Sequence, residues 1–92
     1  MIDKILDRYY AKKLIRRVES HLNFRWGPKL EFEVKVVKDR IIINAKPYRN
    51  KNYTHIENVS INEALFANVE FKQLMNRIND YIKSVDENDD WK

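Results

Sequence analysis

Apolar and polar residues alternate on both sides of Lys38-Asp39, and this two-residue period is the strongest constraint the chain carries. Over residues 30–37, Leu30, Phe32, Val34 and Val36 fall on one face, and Glu31, Glu33 and Lys35 on the other; residues 40–46 continue the pattern. With Lys38 and Asp39 as the loop, Val36 pairs with Ile41, Val34 with Ile43 and Phe32 with Ala45, all toward one core. Glu31 then meets Lys46 in an attractive cross-strand pair. A slip of one residue would misalign these sets, so the pattern selects the loop, although Lys-Asp lacks the Asn-Gly chemistry that such loops favour.

Helical periodicity flanks this hairpin. Residues 2–22 contain neither Gly nor Pro and read as one helix with two ridges at i, i+4 spacing. The apolar ridge is Ile2, Leu6, Tyr10, Leu14, Val18 and Leu22. The basic ridge is Lys4, Arg8, Lys12 and Arg16, with Lys13 and Arg17 beside it. Gly27-Pro28 prevents the helix from continuing. After Pro47 and the polar turn Arg49-Asn50-Lys51-Asn52, residues 53–59 predict a third strand at the sheet edge. Its expected faces are Thr54, Ile56 and Asn58 on one side and Tyr53, His55 and Glu57 on the other. Ser60-Ile61-Asn62-Glu63 has the form of a capping box, with a helix break expected at Asn68. Beyond it, Phe71, Leu74, Met75, Ile78, Tyr81, Ile82 and Val85 form a second helical stripe.

The expected fold is α+β, with element order α-β-β-β-α: a three-stranded antiparallel β-meander with both helices on one face. Residues 1–85 form a single domain and 86–92 an acidic, frayed tail. The order resembles that of double-stranded-RNA-binding domains, and the resemblance covers element order alone. That family contacts phosphates through a lysine cluster at the start of its last helix and carries a Gly-Pro-rich loop between its first two strands. Here those places hold Ile61-Asn62-Glu63-Ala64 and Lys38-Asp39, so the resemblance implies an arrangement of elements and not that activity.

Composition narrows the function classes. Ninety-two residues suffice for one domain. The absence of cysteine removes disulfides, thiolate metal sites and cysteine nucleophiles, and a single glycine, Gly27, removes glycine-rich phosphate loops. No apolar run approaches a membrane span, which points to the cytoplasm, in this case of a bacterial host: Lys, Asn and Ile dominate the composition, and their A/T-rich codons suit low-GC bacteria and their phages or mobile elements. His21 and His55 have no nucleophile at a readable spacing, and Ser20, Ser60 and Ser84 sit in helices or caps. No catalytic residue, metal or cofactor is expected.

The net charge of +4 is unevenly spread. Residues 1–29 carry eight Lys/Arg against three Asp/Glu, whereas residues 61–92 carry four against seven. Successive members of the basic ridge rise about 6 Å along the helix, near the spacing of phosphates on a strand. If all four neutralised duplex phosphates, log K would fall with log salt at a slope near −3.6. Arg25 and Trp26 are auxiliary candidates, and Phe24-Arg25-Trp26 reads either as a stacking platform or as a plug for the end of the core. The outer sheet face, with Lys35, Val37, Arg40, Ile42 and Tyr53, reads as a small apolar patch rimmed by charge. The leading expectation is a non-enzymatic binding module, a phage or mobile-element regulator or inhibitor docking on a host nucleic-acid-processing protein. The alternatives are direct DNA or RNA binding through the basic ridge, and an assembly subunit that oligomerises through the outer sheet face.

Overall fold

The computed structural model describes the backbone of residues 2–61 and 68–91 and the side chains of 11–61 and 68–91. Helix α1 spans Ile2–Trp26, strands β1, β2 and β3 span Leu30–Val37, Arg40–Pro47 and Thr54–Ser60, and helix α2 spans Asn68–Glu87. The strands form one antiparallel sheet in the order β1-β2-β3, so the α-β-β-β-α order and the α+β class hold. The capping box at Ser60–Glu63 falls partly outside the described residues, and Asn68 is the first described residue of α2.

The β1–β2 register is the one the alternation dictates: Val36 opposite Ile41, Val34 opposite Ile43, Phe32 opposite Ala45 and Glu31 opposite Lys46. Lys38 takes φ 59° while Asp39 does not, the sign pattern of a type II′ loop built without its usual glycine. Coverage of β1 thins toward the loop. Leu30 is buried, Phe32 and Val34 are half-buried, and Val36 is 36% exposed although it points to the core side.

Strand β3 departs from the expected faces. Its pairing shifts between Ile43 and Asn44, so that Glu57 lies opposite Ile43 and His55 opposite Asn44, with Ile56 the extra residue of a β-bulge. Glu57 therefore turns to the helix-bearing side, where Arg77 of α2 donates to its Oε2 at 3.0 Å. Asn58 moves to the outer face instead, where it receives a hydrogen bond from Arg40.

One core joins all five elements. Leu14, Val18 and Leu22 of α1 meet Leu30, Ile41, Ile43, Ala45 and Ile56 of the sheet and Phe71, Leu74, Met75, Ile78 and Ile82 of α2. Each fully buried aliphatic side chain contributes roughly 1.5–3 kcal/mol. α1 lies against β1 and α2 against β3, both on the same side of the sheet.

Two chain ends differ from expectation. α1 continues four residues past Leu22 and stops at Gly27, whose backbone N–H donates to the Asn23 carbonyl at 2.9 Å. A Cβ on residue 27 would sit 2.4 Å from that oxygen, so only glycine fits. In place of a frayed acidic tail, Asp86 and Glu87 belong to α2 and the chain folds back behind it. The Asp90 N–H donates to the Val85 carbonyl at 2.9 Å, Trp91 Nε1 donates to Asp86 Oδ1 at 3.2 Å, and the Trp91 ring packs on the core.

Candidate functional site

An α-helix turns about 100° per residue, so the positions of α1 can be placed around its axis. The buried residues Ala11, Leu14, Val18 and Leu22 cluster on one side. The opposite, solvent-facing side is centred on Lys13, Arg16, Ser20 and Asn23, with Lys12 and Phe24 at its two margins; all six are exposed. Lys12, Lys13 and Arg16 make no ion pair among the described residues, and Lys4 and Arg8 lie outside the described side chains.

Elsewhere Lys29, Lys38, Lys51 and Lys72 are likewise exposed with no ion pair among the described residues, but they are scattered over several elements, and other cations are engaged. Lys46 Nζ lies 2.7 Å from Glu31 Oε2, donates to the Asn50 carbonyl, and stands 5.6 Å from the Tyr53 ring centre. Arg49 pairs with Asp89 at 3.3 Å, and Arg77 with Glu57 at 3.0 Å. Arg40 donates to Asn58 Oδ1 at 2.5 Å and to Ser60 Oγ at 2.9 Å.

Two of the auxiliary candidates serve the helix seam rather than the surface. The Arg17 guanidinium lies 3.8 Å over the centre of the Phe71 ring and donates to Asn68 Oδ1 at 3.1 Å, which ties α1 to the start of α2. Trp26 is half-buried against the core and donates its indole N–H to Asn79 Oδ1 at 3.0 Å. Arg25 stays exposed, with its guanidinium 5.7 Å from the Trp26 ring centre. Phe24 is 94% exposed, so of the residues expected to plug the core end, Trp26 does so and Phe24 does not.

Asn79 completes this seam. At 4% exposure it is one of two buried polar residues among those described. Its Oδ1 is taken by Trp26, which leaves Nδ2 facing His21 Nε2 at 3.4 Å. That approach is a hydrogen bond when Nε2 carries no proton. Burial, and secondarily the Arg25 charge, push the His21 pKa below its ordinary value, in the same direction. The ring also meets Phe71 edge-on at 6.2 Å between centres. Asn79 was detectable in the sequence only as a polar interruption of the stripe Met75, Ile78, Ile82.

No described helix packs on the outer sheet face. Lys35, Val37, Arg40 and Ile42 gather at its loop end, where Lys35 pairs with Ile42 and Val37 with Arg40 across the strands. Tyr53 lies apart from them, beside Lys46 at the other end. Between the two ends Asn44 donates to Glu33 Oε1 at 3.0 Å and its Oδ1 lies 3.2 Å from His55 Nδ1. This face is a network of paired polar groups with an apolar margin at Val37. Among the described residues no group of His, Asp and Glu is placed to hold a metal ion, and no described helix is long and apolar enough to cross a membrane. Compared with protein families, curated proteins and solved structures, the chain matches none, so its own side chains carry the functional argument.

Proposed function

We propose that this chain is a small non-enzymatic binding module that engages a polyanion, a nucleic acid, through the solvent face of α1. One observation carries the reading: Lys12, Lys13 and Arg16 stand exposed with no ion pair among the described residues, while Lys46, Arg49 and Arg77 are each paired with a carboxylate. Unpaired cations held in a row on a rigid helix attract phosphates without first breaking an internal bond. Three phosphates neutralised on a duplex give a slope of log K against log salt near −2.7. Fluorescence anisotropy with a labelled DNA duplex across a salt series measures that slope. A combined Lys12→Glu, Lys13→Glu and Arg16→Glu variant flattens it and abolishes binding. Binding that is indifferent to salt, or to this variant, refutes the proposal.

A second reading, docking on a nucleic-acid-processing protein as a phage or mobile-element regulator in a bacterial cytoplasm, draws its support from the uncovered outer sheet face, where Val37 is 45% exposed between Lys35 and Arg40. A Val37→Glu variant discriminates the two: it leaves nucleic-acid binding intact and disrupts a protein complex formed through the sheet. Assembly through that same face predicts a concentration-dependent mass in light scattering, and a strict monomer rejects it.

A further inference from the structure

We infer that Phe24 is a stacking platform for an unpaired base, and that the ligand of the α1 face is a single-stranded nucleic acid; this rests on the polyanion reading above. Phe24 is the most exposed large apolar residue described, and its position explains why. It lies about 20° around the axis from Lys13 and about 80° from Arg16, roughly 125° around the axis from the centre of the buried stripe. Along the axis it lies about 12 Å beyond Arg16 and about 16 Å beyond Lys13, a span of a few nucleotides. Among the described residues Trp26, and not Phe24, packs against the core at this end of α1.

The ring edges a shallow hollow that it shares with His21 and Arg25, so an aromatic surface and a guanidinium adjoin at the end of the cationic row. This is the pairing a single strand requires, with phosphates along the cations and a base face against the ring. A duplex keeps its base faces stacked inside and an acidic peptide has no base to offer, so the ring discriminates against both.

The test uses the full chain and fluorescence anisotropy with labelled oligo-thymidine, an abasic oligomer of the same backbone, the matching duplex and a polyglutamate peptide. Oligo-thymidine is expected to bind about 5- to 150-fold more tightly than the abasic oligomer, the range of one base–aromatic stack. Phe24→Ala brings oligo-thymidine down to the abasic level and leaves the abasic affinity unchanged, while Phe24→Trp restores the difference. Phe24 touches no core residue, so circular dichroism should show both variants folded as the parent is. Equal affinity for the two oligomers with a silent Phe24→Ala overturns the inference and leaves the polyanion reading standing. Equal affinity for the duplex or for polyglutamate overturns it too. If the triple charge reversal at Lys12, Lys13 and Arg16 leaves every affinity unchanged, the polyanion reading falls and the inference with it.

Discussion

The bond from Trp26 to Asn79 is one of the polar links between the two helices, beside the Arg17–Asn68 hydrogen bond, and its strength can be isolated. Asn79→Ala removes the acceptor of the Trp26 N–H and leaves a small void at a buried position. A lost hydrogen bond of about 1 kcal/mol plus a similar packing loss puts the cost near 2 kcal/mol. Trp26→Phe keeps a ring at the end of the core, removes the donor and orphans Asn79 Oδ1, for about 1.5 kcal/mol. Both single variants break the same bond, so the double variant should be less destabilised than the sum by about 1 kcal/mol. With an unfolding entropy of about 2.1 cal/mol/K per residue, 1 kcal/mol moves Tm by about 5 °C in a chain of 92 residues. Asn79→Ala should therefore melt about 10 °C early. Urea denaturation of the four proteins at pH 7.5 measures the cycle. Additivity within about 0.3 kcal/mol would show that the Trp26–Asn79 bond adds nothing to the packing around it, and the account of that bond would be wrong.

The remaining predictions concern single positions. Because the folded pKa of His21 lies below its unfolded value near 6.5, the unfolded chain binds the proton more readily. The stability this residue contributes is thus complete above pH 6.5 and is lost as pH falls through the folded value. Thermal melts between pH 5 and 8 should show a steeper acid-side loss for the parent than for His21→Gln, and parallel profiles would contradict this. Gly27→Ala drives a Cβ into the Asn23 carbonyl and should cost about 1–3 kcal/mol, whereas a neutral result in urea titration would mean the end of α1 is not held as described. Lys38→Gly relieves a left-handed backbone position and should raise Tm by a few degrees, a gain of about 0.5 kcal/mol net of the extra unfolded-state freedom. A drop in Tm would refute the loop geometry.

The hairpin was legible because a period of two with a two-residue loop admits one register in which Phe32, Val34, Val36, Ile41, Ile43 and Ala45 share a face. Strand β3 was legible only up to Ile56. Its bulge depends on pairing with β2, and a lone strand carries no mark of the residue that will be left over, so Glu57 and Asn58 were assigned to opposite sides from those they occupy. The end of α1 was placed early because the apolar i, i+4 ridge ends at Leu22. The helix continues because Trp26 reaches Asn79 from the next turn, a contact fifty-three residues away in sequence. Lys12, Lys13 and Arg16 stand where the pattern put them. The exposure of Phe24 was a matter of angle, readable as the continuation of Lys12, Arg16 and Ser20 at i+4 steps. The engagement of Arg17 depended on where Phe71 and Asn68 come to rest, which only the assembled helices decide.

Because the helices cover one side of the sheet only, every second residue of β1 and β2 is answerable to the core while its neighbours answer only to water and to one another. Glu33, Lys35, Ile42 and Asn44 can therefore be rewritten as a set without disturbing the Ile41–Ile43–Ala45 row behind them. The protein thus holds in reserve a mutable plane, open to change without a matching change in the helices behind it.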